Sequence, residues 1–202
     1  KKHYKDLLQK NGPTLAAVQQ NSQEAQDKRF KTLFQIDLKM KSLIDVGCGL
    51  GCMLNYLLTQ NYSGKYLGID ILEDFTQLSQ KKFKAQDNIS FKTADISTEN
   101  LNTNYEYILL SGVFNNRTKD SKNFMYQTLK KMFTACKKGV AFNAISTYVE
   151  YQDKELYYSN PLEIFDYCKK NFTPNITLKH DYTVRKGAFP YEYTIYMYKS
   201  SQ

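Results

Sequence analysis

The sequence predicts an α/β fold: a doubly wound, mostly parallel, seven-stranded sheet with an antiparallel last strand, preceded by N-terminal helices. Three observations predict it. From residue 42 onward, short apolar runs alternate with helical spacings, the rhythm of a parallel sheet with crossover helices. The first run, Ser42-Leu43-Ile44-Asp45-Val46, stops at Gly47-Cys48-Gly49-Leu50-Gly51, after which Met53, Leu54, Leu57 and Leu58 recur at helical spacing. Near the C-terminus, Ile176-Thr177-Leu178 and the alternating stretch Tyr191 to Tyr198 lie a short loop apart, and strands joined so closely pair antiparallel.

The elements follow in order. Residues 1–202 read as one domain, with 1–40 as a helical cap and 41–202 as the core. His3 to Lys10 forms a helix stopped by Asn11-Gly12-Pro13. A second helix starts near Asn21-Ser22, capped by Ser22, and runs to about Leu38, burying Phe30, Leu33, Phe34 and Leu38. The strand Tyr66 to Ile69 ends at Asp70, and a helix carries Phe75, Leu78 and Phe83. The strand Ile89 to Thr93 leads into Ala94-Asp95-Ile96, and Tyr107 to Leu110 ends at Ser111-Gly112. A helix with Phe124, Leu129, Met132 and Phe133 precedes the strand Val140 to Ile145. Residues 146–160 are a Tyr-rich loop near the site mouth, and a helix follows Pro161, which suits its first turn. Ligands of such a sheet bind at the carboxyl ends of its strands.

Composition narrows the class. The apolar content of 42% and aromatic content of 14% suit a folded globule. No run reaches the roughly 18 apolar residues of a membrane span. The N-terminus reads as having no signal peptide, and the four scattered cysteines read as reduced, so the chain is expected in the cytoplasm. No metal site is expected, because Cys-x-x-Cys is absent and the two histidines lie far apart. The net charge of +8 comes mostly from dispersed lysines, with Arg29, Arg117 and Arg185 the only arginines. Such a distribution is a solvated face or a field for an anionic small-molecule substrate; with no Lys/Arg run, a nucleic-acid partner is disfavoured.

The glycine turn carries the chemistry. Glycine lets a ligand approach bare backbone, and the following helix aims free N–H groups at it. The spacing is Gly-x-Gly-x-Gly rather than the Gly-x-Gly-x-x-Gly of nicotinamide sites, and Asp45 precedes it. An acid there repels a pyrophosphate but tolerates a cationic or amino-acid-bearing ligand. Asp70, ending the second strand, suits two ribose hydroxyls. Asp95 suits an exocyclic amine such as that of adenine, although Asp-Ile-Ser also suits a helix cap.

Together, Asp45-Val46-Gly47-Cys48-Gly49-Leu50-Gly51, Asp70 and Ala94-Asp95 resemble the Rossmann-like, class I S-adenosylmethionine-dependent methyltransferases over residues 42–145. Ser146-Thr147-Tyr148-Val149, Leu156-Tyr157-Tyr158 and His180-Asp181-Tyr182 resemble a bacterial branch that tailors surface polysaccharides or small metabolites. The resemblance implies S-adenosylmethionine as cofactor and S-adenosylhomocysteine as product. It places Asp45, Gly47, Cys48, Gly49 and Gly51 at the methionine part, Asp70 at the ribose, and Ile71, Ala94, Asp95 and Ile96 at the adenine. Ser111 and Phe114 then line the sulfonium side, and Arg29 pairs with the methionine carboxylate, with Gln23 as the second choice.

Acceptor recognition is expected in residues 1–40, 111–117 and 146–193, with Asn115, Arg117, Tyr148, Tyr158 and Arg185 as the candidate residues. The Asp/Asn-Pro-Pro-aromatic signature of many nucleic-acid methylases is absent after the fourth strand, where Ser111-Gly112-Val113-Phe114 stands. That favours oxygen on a small, anionic molecule, such as a phosphorylated or nucleotide-linked sugar; an RNA-modifying or RNA-binding module is the alternative. A hydroxyl acceptor calls for a general base, and His180 is preferred over His3.

Overall fold

The computed structural model describes residues 2–19 and 22–200. Seven strands form one sheet: β1 (Ser42–Val46), β2 (Lys65–Asp70), β3 (Ile89–Thr93), β4 (Tyr107–Leu110), β5 (Gly139–Ile145), β6 (Ile176–Lys179) and β7 (Glu192–Tyr198). Their order is β3-β2-β1-β4-β5-β7-β6. β7 alone is antiparallel to its neighbours, pairing Phe142 with Ile195 on one side and Leu178 with Ile195 on the other. The order reverses at β1, which pairs in parallel with β2 and β4. A crevice opens at such a reversal, because successive crossover helices leave to opposite faces of the sheet.

Among the described residues, six α-helices surround the sheet: α1 (Lys2–Asn11), α2 (Gln23–Phe34), α3 (Cys52–Thr59), α4 (Glu73–Lys82), α5 (Ser121–Ala135) and α6 (Pro161–Asn171). One face packs Met125, Leu129 and Met132 of α5 and Ile164 of α6 against Ile44, Ile108, Phe142 and Ile195. The other packs Phe30 and Leu33 of α2 and Leu54 and Leu57 of α3 against Leu43, Leu109 and Tyr196. Leu33 is fully buried, which stabilises the α2 contact by about 2 kcal/mol.

Ser22 caps α2, its hydroxyl accepting from the Ala25 N–H at 3.1 Å; Asn21 lies outside the described residues. α2 ends at Phe34, one turn earlier than its periodicity predicts, and Leu38 is exposed in the turn leading to β1. Asn160 caps α6 ahead of Pro161, as the sequence implies. A short 3-10 turn, Leu15–Val18, was not expected; with α1 it packs Ala17, Val18, Tyr4 and Leu8 onto Leu50, Leu72 and Phe75. The N-terminal segment is therefore folded over the glycine turn. No helix among the described residues is long and apolar enough to cross a membrane.

Candidate active site

A cavity of about 340 Å³ opens at the reversal point, over the carboxyl ends of β1, β2 and β4. Gly47 turns at φ +76°, and a Cβ there would sit 2.2 Å from Val113 Cγ2. The turn can therefore lie flat against the loop after β4 only without a side chain. Gly49, at φ +51°, also packs closely: a Cβ there would sit 2.9 Å from Val18 Cγ1 of the N-terminal segment.

Asp70 closes the turn from β2. Its Oδ2 accepts the Gly49 N–H at 2.9 Å and its Oδ1 accepts the Leu72 N–H at 3.0 Å. Each oxygen keeps a lone pair for a further donor. Burial raises its pKa, opposed by the backbone N–H groups of Leu72, Gly49 and Ile71. Asp45 is 2% exposed and accepts the Tyr66 hydroxyl at 2.6 Å. Burial pushes its carboxyl up to about 7, against the stabilising hydrogen bond from Tyr66. Asp95 lies at the cavity, and no helix follows it to be capped. Its Oδ1 accepts from the Ser97 N–H (2.9 Å) and hydroxyl (2.5 Å), ending β3 in a tight turn.

Asp45, Gly47, Cys48, Gly49, Asp70, Ile71, Ala94, Asp95, Ile96 and Ser111 all line this cavity. Gly51 stands behind it, in the left-handed region at φ +71°, where it starts α3. Several expected residues lie elsewhere. Arg29 does not line the cavity: its Nε sits 3.0 and 2.9 Å from the two oxygens of Glu192, and its Nη2 2.6 Å from Oε1. The expected carboxylate partner is thus supplied by β7. Gln23 pairs with Asp27 at 2.6 Å on the exposed side of α2. Phe114 is 2% exposed and packs edge-on against Phe124 and Phe142, so it belongs to the core. The 3-10 turn at Val113–Asn115 turns it inward and leaves Val113 at the cavity.

The acceptor residues shift likewise. Asn116, not Asn115, reaches the cavity, and its Nδ2 donates to the Tyr4 hydroxyl at 2.6 Å and to Gln19 Oε1 at 3.1 Å. Arg117 is exposed and donates from Nε to the Leu156 carbonyl at 3.2 Å. Tyr158 accepts the Asp153 N–H through its hydroxyl, and Tyr148 is half-exposed beside His180. Arg185 is exposed on the loop before β7. His180 directly follows β6 and lines a separate open depression with Gln35 and Tyr196. Burial lowers its pKa, opposed by its hydrogen bond to the Pro190 carbonyl. The side chain of His3 lies outside the described residues. Among the described residues no group of metal-binding side chains occurs, and the cysteines are free thiols.

The residues missed from sequence come mainly from the N-terminal segment. Tyr4, Val18, Gln26 and Phe30 line the cavity, joined by Thr118 and Phe124 on the far side. Gln26 had a signal: it lies one turn before Phe30 on the buried stripe of α2. Tyr4 had none, since its place depends on how α1 folds back.

Comparison with known proteins agrees with this geometry. A family profile described as a methyltransferase domain matches residues 44–142. The Mycobacterium tuberculosis methyltransferase-family protein Rv1506c is 30% identical over 166 residues, covering 79% of this chain and 94% of that protein. The malonyl-[acyl-carrier protein] O-methyltransferase of Acetivibrio thermocellus is 27% identical over 197 residues, covering 84% of this chain and 66% of that one. Among solved structures, the magnesium protoporphyrin IX methyltransferase of Synechocystis PCC 6803, with bound S-adenosylmethionine, superposes with a TM-score of 0.63 at 15% identity. That superposition covers 87% of this chain and 80% of that one. The chain belongs to the class I S-adenosylmethionine-dependent methyltransferase family.

The residues present fit the family's cofactor. A side-chain-free cradle at Gly47 and Gly49, three acids at one cavity and a polar side chain with a buried, unpartnered oxygen, Gln26, match a ligand with amine, hydroxyl and ammonium donors.

Proposed function

We propose that this chain methylates an oxygen of a small molecule. One observation carries the reading: Asp45, Asp70 and Asp95 end three adjacent strands and meet at one cavity beneath a glycine turn that Asp70 itself ties down. In this reading Asp70 holds the ribose hydroxyls, Asp95 with Ala94 and Ile96 takes the adenine, and Asp45 faces the amino-acid end. When bound, S-adenosylmethionine supplies an electrophilic methyl group on a sulfonium. The chain's own work is then to hold an acceptor oxygen in line at that end of the cavity, which is a task of proximity and exclusion of water.

Ser111, Asn116, Thr118 and Phe124 supply hydroxyl, amide and aromatic groups on that side. They suit an acceptor whose reacting end is polar and uncharged or carries its own negative charge. A carboxylate acceptor needs no general base, and the Acetivibrio relative is named for O-methylation of a malonyl group. An anionic remainder of the substrate, such as a sugar phosphate, would call on Arg117 or Arg185, both of which are exposed.

The test is release of S-adenosylhomocysteine from S-adenosylmethionine in the presence of three acceptor pools: phosphorylated and nucleotide-linked sugars, malonyl thioesters and bulk RNA. Turnover with either of the first two supports the proposal and identifies the acceptor class. Turnover with RNA alone overturns it.

A further inference from the structure

Gln26 lies on α2, away from every motif so far discussed. It is 4% exposed and lines the cavity, and its Oε1 is buried without a hydrogen-bond partner. The same amide hydrogen-bonds the Cys52 sulfur, opposing the rise that burial imposes on that thiol. Gln26 from α2 and Asp45 from β1 both line this cavity.

A buried carbonyl with no donor is costly, and such a group in a binding cavity marks where a ligand donor belongs. The following turn of α2 is fixed by its own packing. Phe30, one turn on, packs into the α2–α3 core. Arg29 anchors the next turn of the helix to Glu192 of β7. The cavity thus offers a neutral acceptor and a carboxylate, and no cationic side chain is among the described residues that line it.

We propose that Gln26 is the specificity-determining residue for the α-ammonium group of the cofactor, accepting one of its N–H donors while Asp45 supplies the opposite charge. The assignment rests on the cofactor reading above. An ammonium group has three donors and no acceptor, which matches one orphan carbonyl and one carboxylate. The Arg29–Glu192 pair acts through Gln26 as a positioning device, fixing the turn of α2 that presents the amide.

Calorimetry with three probes tests this on the full chain. S-adenosylhomocysteine carries ammonium and carboxylate, its deaminated analogue carries the carboxylate alone, and 5′-methylthioadenosine carries neither. Gln26→Leu should weaken S-adenosylhomocysteine about tenfold or more, while the other two probes stay within about twofold. Gln26→Glu, which keeps an acceptor there, should retain affinity for S-adenosylhomocysteine. Equal weakening of all three probes by Gln26→Leu would mean a structural role and overturn the assignment. So would no weakening of any, or a Gln26→Glu variant as weak as Gln26→Leu. If folded wild-type protein binds none of the three probes, the cofactor reading itself falls; that outcome is distinct from wild type binding S-adenosylhomocysteine and Gln26→Leu matching it.

Discussion

The Arg29 guanidinium forks onto the Glu192 carboxylate, joining the N-terminal helix α2 to the start of the antiparallel strand β7 across 163 positions of sequence. Arg29 is 11% exposed and Glu192 2%, so neither charge has water to fall back on. Removing one partner strands the other. Glu192→Leu or Arg29→Met alone should destabilise the fold by about 3–5 kcal/mol, and the double variant by clearly less than the sum. Denaturant unfolding of the four proteins measures the coupling; additive losses would show that the pair contributes nothing as a pair.

Asp70 accepts two backbone N–H groups and faces the cavity. Asp70→Ala should weaken S-adenosylhomocysteine by about 1.5–3 kcal/mol, roughly ten- to a hundredfold, through loss of charge-assisted hydrogen bonds. Unchanged affinity by calorimetry would remove Asp70 from the ribose site.

Asp45 makes stability depend on pH. Its ordinary value is 3.8 and burial raises it to about 7. Below the lower value the carboxyl is protonated in both states. Between the two, only the unfolded chain ionises, which draws the equilibrium toward unfolding; above the upper value the penalty is constant. Stability from this group is therefore lost as pH rises from about 4 to about 7. Asp45→Asn escapes the loss, so its unfolding free energy should exceed that of wild type increasingly over this range, by up to about 4 kcal/mol above pH 7.5, measured by denaturant unfolding. A gap between the two proteins that does not change with pH would contradict a raised pKa for this carboxyl in the unliganded protein.

Gly47 has a positive φ and a Val113 methyl where its Cβ would lie. Gly47→Ala should lower the melting temperature and abolish S-adenosylhomocysteine binding. Adding Val113→Ala should recover part of the stability by clearing the clash, leaving the roughly 1 kcal/mol cost of the backbone conformation. Failure of Val113→Ala to restore any stability would show that the contact is not what excludes a side chain.

His180 lies in a depression of its own, outside the cofactor cavity. His180→Asn should leave S-adenosylhomocysteine affinity within about twofold, since no contact worth a charged hydrogen bond is removed. A larger loss would return this histidine to the site.

All seven strands, the helices between them and the strand-end positions of Asp45, Asp70 and Asp95 were legible in the sequence. Each depends on signals within a dozen residues: apolar runs, helical spacing and a glycine turn. The direction of β7 was legible too, because a short connection leaves one choice. What only the tertiary structure decided is which side chains meet. Asn116 rather than Asn115 reaches the cavity because a 3-10 turn after β4 rotates Phe114 into the core. Tyr4 and Gln26 enter the site because the N-terminal segment folds over the glycine turn. Arg29, expected at the cofactor, pairs instead with a carboxylate that the sheet order brings beside α2. Local patterns carry the period of an element; the partner of a buried charge is set by whatever long-range packing places within about 3 Å of it, and no spacing along the chain encodes that.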